Sequence, residues 1–302
     1  MADPSQNTQA SARLFAIVAS QARLAVVFRR GPSKQVQLLH WDLASDKVTP
    51  GQWLSGRIYT ERCGLSPDGK LLVYFAGKFN TKLATFTAIS RPPYFTALTL
   101  WPDGSTWGGG GFFEGNRRLI LNYGRVLDEL DGKTKIPPGF EVSHVAEYRA
   151  RHGQAETPEA EQGWVLEARG VEGKPGPDTT MQYVFAEPWI HSKPNPAHPR
   201  WSLERSWLGS SEPNGPFCIH SFRLIHRSTS GMLIATEELG RLDWADWDHE
   251  GSLLYSEQGC LYRRSMATSR GRSDGKSVAL VADLRANVFE NVLPPDSARR
   301  WP

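Results

Sequence analysis

The segment RLDWADWDHEG, residues 241–251, holds the densest group of acidic side chains in the chain: Asp243, Asp246, Asp248 and Glu250, with His249 among them. Residues two apart in a strand share a face, so Asp246 and Asp248 are expected to point the same way. With His249 they form a candidate channel or metal cluster, because paired carboxylates beside an imidazole bind hard cations or act as acid and base. The alternative, which we favour, is a tight turn, where acidic residues are common.

Two further segments invite a ligand-binding interpretation. Cys218 and His220, with His226 nearby, offer zinc ligands, but zinc normally needs four and no closing pair follows at a suitable spacing. The glycine run 108–111 lacks the Lys-Ser/Thr pair of a phosphate-binding loop and is followed by Phe112. We interpret these glycines as allowing an inner strand to pack closely. The sequence therefore predicts no metal and no cofactor.

Aromatic and basic residues cluster around a proline-rich segment, 191–201. Trp189, Trp201 and Trp207 lie in or beside it, together with Arg205. Tryptophan and arginine are the residues most enriched at the energetic centres of protein interfaces. We therefore predict that these four residues bind a partner, a protein or a stacked sugar. The alternative, which we favour, is packing against the outer blade strands.

The elements that position these residues are indicated by a repeat. In CGLSPDGKLLVYFAGK, residues 63–78, a Ser-Pro-Asp-Gly turn precedes a run of apolar, β-favouring residues, which predicts a strand, a tight turn and a buried strand. The same pattern fits without gaps 47 residues earlier, at 17–28, and 47 residues later, at 111–124, and it returns at 246–259. The equivalent positions are Val18, Leu65, Phe112 and Trp247.

A period of 45–47 residues with alternating strand and turn signals is typical of propeller blades. The gap in the series leaves room for two degenerate copies, for which 161–170 and 213–226 are candidates, although the second breaks the spacing; they would bring the total to six. The SPDGK turn with its buried strand resembles the repeat of TolB-like and WD40-like β-propellers, although it is intact only at 66–70. The resemblance implies an all-β propeller, which we expect to have six blades of four antiparallel strands. A β-sandwich or a two-domain β protein is the alternative.

The pattern weakens between residues 128 and 200, where Gly, Pro and charged residues are dense. We expect long irregular loops there, between blades of a single domain that spans residues 12–302 and follows a flexible segment, 1–11. Loops held by a rigid scaffold commonly carry binding residues.

The overall composition limits the compartment and the partners. The 302 residues carry a net charge of +3, too small and too scattered for a nucleic-acid surface. Three distant cysteines, Cys63, Cys218 and Cys260, favour a reducing compartment. The sequence has neither a recognisable signal peptide nor an apolar run of the roughly 20 residues that a membrane span requires. We predict a cytoplasmic location and no membrane insertion.

These observations favour a binding or scaffold module without its own chemistry, one that neutralises or recruits a protein partner. The alternative is a propeller hydrolase or lyase, with a metal or an acid/base site in the central channel. The two hypotheses differ in the channel, because an enzyme needs several ionisable side chains from different blades to converge there.

Overall fold

The fold is known from a computed structural model that describes residues 12–31, 34–79, 81–122, 136–152, 158–174, 183–210, 218–266 and 277–302. The predicted flexible segment 1–11 lies outside these residues. Strands account for 54% of the structure and helices for 7%, and five sheets are arranged as a propeller. The prediction of an all-β propeller is confirmed, but the prediction of six blades is wrong, since the described residues form five.

Blades 1 and 2 come from the first third of the chain. Both are antiparallel, and in blade 2 the two shortest strands, β5 and β6, pair with the same neighbour, β7. The strands of blade 1 are β1 (Arg13–Val18), β2 (Leu24–Arg30), β3 (Gln35–Asp42) and β4 (Lys47–Ser55). Those of blade 2 are β5 (Arg57–Ile58), β6 (Gly64–Leu65), β7 (Leu72–Gly77), β8 (Thr85–Ser90) and β9 (Ala97–Pro102).

Blade 3 is smaller and is followed by two short helices. Its strands are β10 (Gly111–Gly115), β11 (Arg118–Leu121) and β12 (Glu141–His144), and β12 runs parallel to β11. The helices α1 (Val145–His152) and α2 (Pro158–Glu161) come next. No helix in the described residues is long and apolar enough to cross a bilayer.

Blade 4 is the largest sheet. Its strands are β13 (Val165–Ala168), β14 (Val171–Gly173), β15 (Tyr183–Pro194), β16 (Trp201–Ser210), β17 (Cys218–Arg227) and β18 (Leu233–Gly240). The described parts of both degenerate repeat copies contribute strands to this one sheet, β13 and β17, which is why the described blades number five. Blade 5 consists of β19 (Trp244–Trp247), β20 (Leu253–Glu257), β21 (Cys260–Arg264) and β22 (Val278–Asp283).

The expectation of irregular loops over 128–200 is also wrong for much of the segment. Its described part contains β12, both helices, β13, β14 and the twelve-residue strand β15. The prolines did not prevent β15 because each lies at an irregular or terminal position of the strand, although Pro194 is still in register with Ser202. Pro188 falls where the register with β16 shifts, between Val184 and Trp189, and Pro194 is the last residue of the strand.

The four clear repeat copies are the first hairpins of blades 1, 2, 3 and 5. Val18 pairs with Ala25 and Leu65 with Leu72, which is the same seven-residue offset. The turn recurs as well. The Gly69 amide donates to the Ser66 carbonyl at 2.8 Å, and the equivalent bond in blade 5, Gly251 to Asp248, measures 3.1 Å. Both glycines have a positive φ, +73° and +81°, as the turn requires.

Neighbouring blades share apolar cores around the ring. Blade 1 packs against blade 2 on one face and against blade 5 on the other, blade 2 packs against blade 3, and blade 4 packs against blade 5. Blade 3 reaches blade 4 through the helices. Phe112 and Ile120 pack on Tyr148 of α1, whose hydroxyl donates to Glu161 of α2 at 2.5 Å, and Trp164 then enters the core between blades 4 and 5.

The C-terminal segment, residues 284–302, crosses three blades and ties them together. It bonds to blade 1, to the loop that follows β8 of blade 2, and to the aromatic residue before β12 of blade 3. The contacts are Arg29 Nε to the Leu284 carbonyl at 2.9 Å, Gln52 Nε2 to the Val292 carbonyl at 3.1 Å, Arg91 Nη1 to the Ser297 carbonyl at 2.9 Å, and the Phe140 and Trp301 rings at 4.9 Å.

Replacing Gln52 with alanine is expected to lower the free energy of unfolding by about 2 kcal/mol, because two backbone amides lose their acceptor. Gln52 Oε1 accepts from the amides of Phe95 at 2.8 Å and Thr96 at 3.1 Å, and Nε2 holds the C-terminal segment. Chemical denaturation measures the loss. The matched control is Gln21→Ala, since Gln21 is exposed and its side chain bonds only to Asn116 among the contacts described. Equal losses in the two variants would show that Gln52 does not join the blades.

Candidate functional site

The five blades surround a central cavity of about 1000 Å³. Blades 1, 2, 3 and 5 each line it with the first strand of their repeat hairpin or the turn before it. The four equivalent repeat positions, Val18, Leu65, Phe112 and Trp247, all lie in the cavity wall. The repeat found in the sequence therefore marks the innermost position of each of these blades.

Blade 4 lines the cavity differently, with one face of three neighbouring strands. Trp189 of β15 pairs with Trp207 of β16, which pairs with His220 of β17. One step along the strands, Arg205 pairs with both His191 and Phe222. All six side chains line the cavity. Part of the same face, including Leu203 and Leu224, packs against blade 5. β15, β16 and β17 extend beyond the core that they share with blade 5. The part of their face beyond that core forms the cavity wall.

We call Trp164, Trp189, Lys193, Arg205 and Trp207 the aromatic–cationic wall. The Arg205 guanidinium lies 4.7 Å from the centre of the Trp164 ring, and Lys193 Nζ lies 5.8 Å from it. The Trp207 indole is fixed by a 2.7 Å hydrogen bond from Nε1 to the Gly209 carbonyl. Cations held over indole faces in a recess give large, rigid and partly charged contact surfaces.

Three of the four predicted partner-binding residues, Trp189, Arg205 and Trp207, thus come together in one wall. Trp201 does not join them. Its ring stacks on His226 at 4.4 Å and packs at the edge of the core between blades 4 and 5, so the packing alternative holds for this residue. Sequence reasoning missed Trp164 and Lys193. The one sequence feature that could have pointed to Trp164 is its position in the degenerate repeat copy at 161–170.

The acidic cluster also faces the cavity, but its side chains are bound to different partners and do not converge. Asp246 Oδ1 lies 2.6 Å from Lys193 Nζ and also accepts from the Trp247 amide at 2.7 Å. His249, at the cavity rim, lies 3.3 Å from the Ser20 carbonyl, and the Glu250 carboxylate is paired with Arg23 at 2.8 Å.

Asp248 serves the turn, as we favoured from the sequence. Its Oδ1 accepts from the amides of Glu250 at 2.9 Å and Ser252 at 2.7 Å. Its other oxygen pairs with Arg263, which also binds Asp46. Asp246 and Asp248 are therefore both neutralised by protein cations, in contrast to the converging carboxylates of an acid/base pair.

Asp243 is the exception in this cluster, because no ion pair of its carboxylate is among the described contacts. It lines the cavity, and burial raises the pKa of its carboxyl from 3.8 to about 6. A long hydrogen bond of 3.4 Å from the Leu14 amide partly opposes the shift. Near pH 6 this carboxyl is about half protonated.

The predicted soft-ligand group is divided. Cys218 and His220 line the cavity, whereas His226 stacks on Trp201. Burial, with Arg205 and His191 nearby, lowers the pKa of His220 well below its usual 6.5, so the imidazole is neutral at pH 7. Within the residues that the structure describes, no three His, Cys, Asp or Glu side chains are grouped to hold a metal ion.

The glycine run packs closely, as expected. A Cβ on Gly109 would lie 2.2 Å from the Phe75 ring, and one on Gly110 would lie 2.1 Å from the Arg62 carbonyl. The Gly110 amide is bonded to Thr87 Oγ1 at 2.7 Å, so it is not directed at a ligand.

Comparisons with known proteins add little to this geometry. No protein-family model and no curated protein matches the chain. One solved structure that matches is described as the crystal structure of the eukaryotic initiation factor, with 10% sequence identity and a TM-score of 0.24. The match covers 84% of this chain and 52% of that one, so this chain corresponds to about half of its length. At that TM-score the match supports no conclusion about function.

Asp243→Asn is expected to stabilise the protein at pH 7 and to have little effect at pH 4. Because the folded pKa of about 6 exceeds the ordinary aspartate value of 3.8, the native state keeps its proton to higher pH than the unfolded chain, and wild-type stability falls as the pH rises between these values. The gain at pH 7 is at most about 3 kcal/mol. Denaturant unfolding at several pH values measures it.

The control for this experiment is Asp283→Asn. Asp283 is exposed and bonded to Arg285 at 2.6 Å, which holds the pKa of its carboxyl well below the usual range. Its loss should not stabilise the protein at pH 7. If the difference in unfolding free energy between wild type and Asp243→Asn is the same at pH 4 and at pH 6, the pKa of Asp243 is not raised.

Proposed function

We propose that this protein is a binding module without its own chemistry, and that it recognises a protein partner by taking part of that partner into the central cavity. The observation that carries the proposal is the aromatic–cationic wall of blade 4. Three tryptophans, Arg205 and Lys193 converge there from β15, β16 and the residue before β13, in a recess whose lining is both apolar and polar. Interface energy is concentrated in Trp and Arg side chains of this kind, in desolvated pockets.

The shape of the cavity supports insertion of a segment in preference to docking of a flat surface. A recess of about 1000 Å³ suits a loop or a chain terminus. The wall is held rigidly, because Trp189 and Trp207 lie on paired strands and Trp207 is bonded through its indole nitrogen. Little side-chain freedom is left to lose on binding, which favours affinity.

Two finer statements belong to the same proposal. The SPDGK turn at 66–70 supports a relation to TolB-like or WD40-like propellers, and its hydrogen bonds recur in blade 5. The three cysteines, all reduced, support a cytoplasmic location in which the module neutralises or recruits its partner.

The second candidate is a channel hydrolase or lyase, and Asp243 is the observation that favours it. A buried carboxyl with a pKa of about 6, facing a cavity, is suited to general acid catalysis. The ion pairs of Asp246 and Asp248 weigh against this candidate, because they leave Asp243 without a second carboxylate of opposite role.

The test is partner capture followed by quantitative binding. The purified chain captures a partner from lysate of its source organism, and calorimetry then measures the affinity of the purified pair. Trp207→Ala is expected to weaken binding roughly 30-fold or more, the loss typical of a hot-spot residue. Trp189→Ala is expected to act in the same direction.

Two tryptophans serve as controls. Trp107 is 94% exposed on a loop of blade 2, and Trp201 lies outside the cavity wall, so alanine at either position should leave the affinity unchanged. Equal loss in Trp107→Ala and Trp207→Ala would contradict the proposed site. Turnover of a substrate that is lost in Asp243→Asn would establish the enzyme in place of the binder.

A further inference from the structure

A small recess of about 40 Å³ adjoins the central cavity at the beginning of β1. Residues 15–21 line the cavity, whereas residues 13–15 line the recess. The residues that line both spaces are Phe15, Thr60, Glu61, Cys218, His220 and Asp243. A space needs roughly 10–15 Å³ to hold one water molecule, so the recess has room for a group of about three non-hydrogen atoms.

Two arginines stand side by side in the wall of this recess. Arg13 of β1 pairs directly with Arg30 of β2, and both line the recess. The next pair on the same face is Phe15 and Phe28, which also line it. Directly opposed side chains of an antiparallel pair lie close together, and two like charges in these positions destabilise the sheet. The fold therefore tolerates a repulsive pair at this point.

A third arginine, Arg57 of β5, adds to the positive charge. Burial, with Arg13 and Arg57 nearby, lowers the pKa of Arg30 from 12.5 to about 10. Among the described contacts, the guanidinium groups of Arg30 and Arg57 make neither a hydrogen bond nor an ion pair, and Arg57 Nε is buried without an acceptor. By contrast, the exposed Arg285 is bound to Asp283, which raises its pKa.

The two acids that line the recess do not neutralise this group. Glu61 is exposed, and its Oε2 accepts from Thr60 Oγ1 at 3.1 Å. Its charge opposes the shift of the Arg30 pKa, but no ion pair between Glu61 and Arg30 is among the described contacts. Asp243 lies near Arg13 and accepts from the Leu14 amide. Arg30 and Arg57 are thus left without a bound carboxylate.

We propose that the recess binds a single carboxylate group, held by Arg30 with Arg13 and Arg57 beside it. A carboxylate group has three non-hydrogen atoms, which the recess accommodates, and its two oxygens accept charge-assisted hydrogen bonds from guanidinium groups. The carboxylate is the chain terminus or an acidic side chain of the segment that enters the cavity, and in that form the inference rests on the proposed function. A free small carboxylate is the other source of the same chemistry.

Titration of the full chain with ¹³C-labelled acetate tests the recess without a partner. We expect saturable broadening of the acetate NMR signal, with an affinity about tenfold lower in Arg30→Gln. The matched control is Arg227→Gln, since Arg227 is exposed at the end of β17, outside both spaces, and its loss should not alter acetate binding.

Chemical denaturation at pH 7, without ligand, shows whether Arg30 serves the fold instead. Arg30→Gln is expected to be at least as stable as wild type, because it removes a charge that burial and its neighbours disfavour. A loss of stability in Arg30→Gln that exceeds the loss in Arg227→Gln would give Arg30 a structural role and overturn the proposal.

Peptides selected on the full chain from a display library with free C termini test the source of the carboxylate. Each peptide is synthesised with its carboxylate groups and with amides in their place, and calorimetry measures both affinities. The amide forms should bind wild type about tenfold more weakly, and Arg30→Gln should remove this difference. Trp207→Ala should weaken both forms equally.

The outcomes separate this proposal from the cavity proposal. If the acid and amide forms bind equally while Trp207→Ala weakens both, the cavity binds a segment and the carboxylate site is refuted. Acetate binding that depends on Arg30, with no peptide that depends on Trp207, would establish a site for a free small carboxylate and contradict the cavity proposal. Acetate that binds wild type and Arg30→Gln alike would overturn the carboxylate site in both forms.

Discussion

Blades 1, 2 and 5 each have two apolar faces, and neighbouring blades cover both, whereas blade 3 is covered by blade 2 on one face and by helix α1 on the other. Strand β2 illustrates this constraint, since its apolar run has no polar alternation. Val26 and Phe28 pack toward blade 2, whereas Ala25 and Val27 pack toward blade 5. Because blade 1 comes from the start of the chain and blade 5 from its end, covering both faces brings the two ends together. The ring, and therefore the central cavity, follows from this packing.

Blade 4 meets the same constraint only in part, and that difference creates the candidate site. Its long strands cover blade 5 with one portion of a face, through Leu203 and Leu224, and extend the rest of that face over the cavity. A blade of ordinary length would place only an edge there. The exposed portion of the face carries tryptophan, arginine and histidine where packing alone would favour aliphatic residues. Function, in this account, resides in the sheet that departs from the repeat.

The sequence predicted the parts of the fold that depend on local signals. The turn and buried strand of 63–78 are encoded by neighbouring residues, so the pattern located the first hairpins of four blades and the innermost position of each. It failed where pairing is set by tertiary contacts. The proline-rich segment 191–201 suggested a loop, yet its first residues belong to β15, which forms because β16 supplies a long partner strand. The two degenerate copies counted as two blades because sequence spacing does not reveal that β13 and β17 belong to one sheet.

Of the candidate site, Trp189, Arg205 and Trp207 were identified by composition, whereas the contribution of Trp164 depends on the helical connection that brings it to blade 4.

The rate of thiol modification in the folded protein tests most directly whether the face of blade 4 lines an open cavity. Cys218 and Cys63 both line the cavity, but Cys218 is partly exposed whereas Cys63 and Cys260 are buried, and burial raises the pKa of the Cys63 thiol. Mass spectrometry after brief treatment with a small maleimide should find Cys218 modified, with Cys63 and Cys260 unmodified until the protein is denatured. If Cys218 is as unreactive as the two buried thiols, that face of blade 4 is closed to solvent, and the cavity is not the binding site.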